Sequence, residues 1–137
     1  MEDKLIEYST AKLAKEKGFN EECYFSIAKI SKEYCIFKSE YSETNSEINK
    51  YEYSAPTQSL LQKWLREIHN CHVEVIFHSP LDDSYITKDN LRYCFEVNYY
   101  GKNFNIPFTD DEDYSGYDYL TYEEALEKGL QEALKLI

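Results

Sequence analysis

Glycine and proline are scarce in this sequence, four of the first and three of the second among 137 residues. Long flexible linkers draw on both, so the chain reads as continuous folded material. It has no internal repeat and no low-complexity tract. No apolar run approaches the roughly 20 residues that a membrane span requires. The opening MEDKLIEYST is acidic and polar and carries no secretory apolar segment. The four cysteines, Cys23, Cys35, Cys71 and Cys94, form no CxxC pair. Each lies in an apolar-alternating stretch, where a free thiol behaves as a small hydrophobe. Four cysteines allow two disulfides, but nothing in their spacing asks for them. The expectation is a reduced, cytoplasmic protein with no membrane contact.

Cations are the next scarcity. The formal net charge is −11, and it is unevenly spread. Residues 1–68 hold 10 Lys and Arg against 12 Asp and Glu, a net of −2, whereas residues 69–137 hold 5 against 14, a net of −9. Such a surface repels nucleic-acid phosphates and anionic lipid. It suits a basic protein partner, a cation, or plain solubility. Catalytic signatures are missing as well: there is no GxSxG, P-loop, GxGxxG or HExxH, and no aromatic-interleaved basic patch. No catalytic residue, metal ligand or cofactor is nominated, and the chain is expected not to be an enzyme.

What is present argues for a folded core. Hydrophobic residues make up 42% and aromatics 16%, with 14 tyrosines. A chain of this size hides roughly two thirds of its unfolded surface. STAKLAKEKGFN predicts a short helix capped by Ser9 or Thr10, with Gly18 at its C′ position. CYFSIAKI predicts a strand, and Tyr34 to Lys38 a second one across a tight turn at Ser31-Lys32-Glu33. Residues 39–53 are polar and read as a surface loop with a ragged edge strand. SAPTQSLLQKWLREIHN predicts the clearest helix, 56–69. Pro56 falls in its first turn, and Leu60, Leu61, Trp64, Leu65 and Ile68 form its apolar face. Asn70 is placed to stop it in a left-handed conformation.

CHVEVIFH then reads as a strand with Cys71, Val73, Val75 and Phe77 on one side and His72, Glu74, Ile76 and His78 on the other. LRYCFEVNYY is a second, ended by Gly101, and Asn103 to Phe108 could add a short third. TYEEALEKGLQEALKLI predicts the last helix, with a Thr121–Glu124 capping box. Gly129 on its apolar face marks close packing against the sheet. The order implies an α+β fold: one two-layer domain over residues 1–137, a mostly antiparallel sheet and about three amphipathic helices.

The runs SAPTQSLLQKWLREIHNCHVEV and YEEALEKGLQEALKLI, with AKLAKEKGF near the N-terminus, resemble a family of small uncharacterised proteins from gut anaerobic bacteria, their phages and mobile elements. The resemblance covers most of the chain outside residues 39–53 and 79–90. It implies an origin, and no activity.

Three constellations of side chains stand out. DDEDYSG, residues 110–116, starts like a calcium loop at Asp111, Asp113, Ser115 and Gly116. Its twelfth position is Tyr122, with Glu123 one residue late, and a strand-like segment stands where a helix should precede it. A site built from Asp111, Asp113 and Asp118 is the weaker alternative to an acidic turn feeding a helix N-terminus. His69, Cys71, His72 and His78 fail as a metal cluster, because strand alternation separates them. The third is tyrosine beside carboxylate. The loop at 109–120 and the start of the last helix offer an interaction surface of Asp110, Asp111, Glu112, Asp113, Tyr114, Tyr117, Asp118, Tyr119, Glu123, Glu124 and Glu127. The expected function is therefore a non-enzymatic interaction protein of phage or mobile-element origin. It would bind a basic host protein, nucleic-acid-binding or defence-related, without touching nucleic acid itself. The alternative is a small-molecule or cation-binding module, or a weak hydrolase, in a cleft between sheet and helices.

Overall fold

A computed structural model of the chain describes residues 3–78, 92–104 and 119–137. Along it come α1 (Tyr8–Glu16), β1 (Cys23–Ile30), β2 (Glu33–Glu43), β3 (Glu52–Ser54), α2 (Gln58–His69), β4 (Cys71–His78), β5 (Arg92–Tyr99), β6 (Lys102–Asn103) and α3 (Tyr122–Leu136). The architecture is α+β, as the periodicity predicts. Among the described residues the strands fall into two antiparallel sheets rather than one, ordered β2-β1-β3 and β4-β5-β6. α1 packs on β1, β3 and α3, while α2 and α3 pack on each other and on the second sheet. One buried cluster draws on both sheets and all three helices, through Ile27, Val73, Phe95, Ala14, Leu65 and Leu130 among others.

The helix ends follow local chemistry. Gly18 takes φ +91° after α1, where a left-handed C′ residue is needed. The N-terminus of α1 differs from expectation: the cap is Glu7, with no side-chain bond. Thr10 is fully buried, and its hydroxyl is used elsewhere. α2 starts two residues later than Pro56. Thr57 caps it by accepting from the Leu60 N–H, and the Pro56 carbonyl instead takes the Ile6 N–H. Asn70 ends α2 at φ 50°, ψ 39°, left-handed as expected. Thr121 caps α3 by accepting from the Glu124 N–H at 3.1 Å.

The β1–β2 turn has Ser31 at φ 50° and Lys32 at φ 71°. Both central residues are left-handed, which is the type I′ turn that matches strand twist. β2 then runs to Glu43, well past Lys38, with an irregular register opposite Cys23 and Phe25. Asn45 closes the following loop from inside, donating to the Phe19 carbonyl and accepting from the Ser54 N–H. In the second sheet, Cys71, Val73, Phe95 and Val97 are buried beneath α3 and α2. A Cβ on Gly129 would come within 2.7 Å of Val73 Cγ1 and 3.1 Å of Phe95 Cγ. Gly129 thus lets the α3 backbone lie directly on β4 and β5. β6 covers only Lys102–Asn103, and Asn105 to Phe108 lie outside the described residues.

Two expected apolar positions are exposed. Ile68 on α2 is 63% exposed, and Phe77 near the end of β4 is also in solvent. Tyr122, at the first turn of α3, is exposed as well.

Candidate functional site

Of the nominated surface residues, Tyr119, Glu123, Glu124 and Glu127 lie among the described residues. Asp110, Asp111, Glu112, Asp113, Tyr114, Tyr117 and Asp118 lie outside the described residues, and so does the calcium-like DDEDYSG. Tyr119 is partly buried. Its N–H and C=O exchange hydrogen bonds of 2.8 Å with Tyr93 on β5, and its ring lies 6.2 Å from Phe95. Glu123 is half-buried and Glu124 exposed on the first turn of α3, where the helix dipole favours negative charge.

Glu127 requires a correction. It is 1% exposed and forms part of the core rather than an interaction surface. Its Oε1 accepts from the Glu7 N–H at 2.7 Å and the Thr10 hydroxyl at 2.6 Å, and its Oε2 accepts from Gln58 Nε2 at 2.9 Å. Gln58 Nε2 also donates to the Glu123 carbonyl at 2.9 Å. One carboxylate therefore joins the start of α1, the start of α2 and the middle of α3. Three donors satisfy a group that would otherwise be costly to bury.

Above this network lies a cleft of about 660 Å³. Its walls are the N-terminal segment at Asp3 and Lys4, the α2 side chains Gln58, Ser59 and Gln62, and Thr121, Tyr122 and Glu123 at the start of α3. The Ser59 hydroxyl donates to the Asp3 carboxylate, and Gln62 Nε2 donates to the Val73 carbonyl at 2.6 Å. Tyr93 and Tyr122 form one side, with edge-to-face rings 6.3 Å apart, and Phe77 meets Tyr93 edge-on at 5.5 Å outside the lining. Among the described residues the cleft presents amides, hydroxyls, an aromatic wall and the charged residues Asp3, Lys4 and Glu123.

Sheet register reveals an acidic feature that the sequence did not single out. Glu74 on β4 and Glu96 on β5 are direct cross-strand partners, flanked by His72↔Asn98 and Ile76↔Cys94. They occupy the face opposite Val73, Phe95 and Val97. Like charges directly opposite across a ladder are destabilising. Among the described residues the one ion pair is Lys135–Glu132, so no cation neutralises Glu74 or Glu96 there. Glu74 was legible as a polar-face residue, but its partner emerges only once the two strands are aligned.

The remaining candidates are structural. His69 stacks edge-on against Trp64 at 4.5 Å, and His72 Nε2 lies 3.1 Å from Asn70 Oδ1. No group of three metal-ligating side chains occurs among the described residues. The four cysteines are not joined in disulfides. Burial pushes the Cys71 thiol up to about 11, and burial with the nearby Glu21 charge does the same to Cys23. No described helix is long and apolar enough to cross a membrane. Set against protein-family models, curated proteins and solved structures, the chain matches none.

Proposed function

We propose that this chain is a non-enzymatic interaction protein that engages a basic protein partner through its acidic second half. In line with the resemblance described above, its origin would be a phage or mobile element and its partner a host protein acting on nucleic acid or in defence. The observation that carries the reading is the facing pair Glu74 and Glu96, unneutralised among the described residues. A ladder position that raises the energy of the free protein is relieved when a cation-bearing partner arrives. The pair sits in the half of the chain that carries −9 of the −11 net charge.

Affinity capture from host lysate, followed by titration of the captured protein, tests this. The wild-type chain should retain a basic protein whose affinity falls steeply with salt. Glu74→Gln with Glu96→Gln should weaken that binding about tenfold or more while slightly stabilising the free chain. Retention of neutral or acidic proteins, insensitive to both changes, would remove the reading.

The cleft favours a second reading, a small-molecule binding module. Its 660 Å³ is within the range of ligand pockets. A small molecule that raises the melting temperature of the wild type and not of Gln62→Ala would favour it.

A further inference from the structure

We propose that the outer edge of β2 pairs with β2 of a second copy of this chain, antiparallel, about a two-fold axis at Ile36. β2 is an edge strand, with β1 on one side and no strand on the other among the described residues. It is 11 residues long, and its outer part is apolar: Tyr34 is 60% exposed, Ile36 58% and Phe37 42%. Long exposed edges with such side chains are pairing templates unless something blocks them. In a two-residue hairpin the closing pair, here Ile30↔Glu33, is hydrogen-bonded. Alternation along the ladder then turns the backbone groups of Tyr34, Ile36 and Lys38 outward, free to pair.

Charge selects the occupant. Residues 23–43 carry Lys29, Lys32 and Lys38 against Glu33, Glu40 and Glu43, a net of zero in a chain of −11. Two copies repel across most of their surfaces, and this hairpin is a stretch where they do not. A basic partner would be drawn to the acidic half instead. The register follows from the same side chains. Centred on Ile36, Ile36 meets itself, Tyr34 meets the partner's Lys38, and Cys35 meets the partner's Phe37. Centring on Lys38 would oppose two ammonium groups. Centring on Cys35 would oppose Lys32 and Lys38, and centring on Phe37 would set Lys38 against Ile36. Centring on Ser39 would use residues 40–42, where the ladder to β1 is irregular. A groove of about 380 Å³, walled partly by Leu5, Ile27, Tyr34 and Ile36, opens on the Ile36 face and would gain apolar cover from the added strand.

Sedimentation over a dilution series tests the pairing. The wild type should approach twice the 16.3 kDa of one chain. Ile36→Glu and Ile36→Lys, each exposed enough to leave the core intact, should sediment as single chains, with self-affinity reduced about 100-fold or more. Mixed in equal amounts they should pair again, because the axis sets glutamate against lysine, and recovery itself shows that both are folded. Lys38→Glu should weaken association less, about tenfold, by replacing a cation over Tyr34. A wild type that stays single at every concentration would overturn the proposal, whether or not it captures an extended peptide. So would an Ile36→Glu protein that still pairs, or a mixture that does not.

Discussion

Glu127 shows how much one side chain can hold together. Glu127→Ala removes the acceptor for the Glu7 N–H, the Thr10 hydroxyl and Gln58 Nε2 at once. Leaving buried donors without a partner costs about 1–3 kcal/mol each, so a loss of about 3–5 kcal/mol is expected in urea unfolding. Glu127→Gln should recover only part of it. Its amide nitrogen would face Gln58 Nε2, and rotating Gln58 would turn an oxygen onto the Glu123 carbonyl. A loss under about 1 kcal/mol for the alanine variant would mean that water replaces the carboxylate. The cysteines give a second residue-scale expectation. Cys23 and Cys71 are raised from the ordinary 9.0 to about 11 in the folded chain. Their protonated forms are favoured by folding, so that contribution is fully present below pH 9 and is lost as pH rises through 11. The urea midpoint should fall across this window, and less steeply in Cys23→Ala with Cys71→Ala. Thiol titration after unfolding should find all four groups.

At the scale of elements, α2 separates what periodicity can tell from what it cannot. Trp64→Ala should cost about 3–5 kcal/mol, since Trp64 is 7% exposed and stacks on Phe19 and His69. Ile68→Ala, on the same predicted face, should change stability by less than about 0.5 kcal/mol. Helical spacing identified the stripe, but where it runs out depends on what packs against each turn, which is a tertiary fact. Thr10 and Glu127 show the same limit: each reads locally as a cap or a solvated charge, and their bond joins residues 117 positions apart. Gly129, Asn70 and the Thr121 cap were legible because backbone sterics and capping are local. The division into two sheets and the Glu74–Glu96 pairing were not, since register follows from alignment of separate strands. The β1–β2 hairpin carries its own prediction. Ser31 and Lys32 hold positive φ without the residues that favour it. Ser31→Asn with Lys32→Gly should stabilise the chain by about 0.5–1 kcal/mol, visible as a higher urea midpoint with an unchanged slope. A fall in the midpoint would show that the Lys32 side chain contributes more than its backbone strain costs.

For the molecule as a whole, the distribution of charge separates two kinds of contact. The acidic half is suited to a basic partner, and the neutral hairpin to a second copy. The two contacts should therefore respond to salt with opposite sign. Attraction between unlike charges is screened as the Debye length shrinks from about 10 Å at 0.1 M towards 3 Å at 1 M, so capture of a basic partner weakens. Two copies at −11 repel each other at long range, while the β2 hairpins through which they meet carry no net charge. Screening lowers that repulsion and leaves backbone pairing and apolar burial in place, so self-association strengthens over the same range. The free chain should also become modestly more stable, because the repulsion between Glu74 and Glu96 is screened too. The check is a matched series from about 0.05 to 0.5 M sodium chloride, following sedimentation, partner affinity and melting temperature together. Self-association that weakens with salt would point to an interface dominated by ion pairs rather than by backbone pairing and apolar burial. Partner binding that strengthens with salt would point to an apolar contact, and the acidic half would then serve solubility rather than recognition.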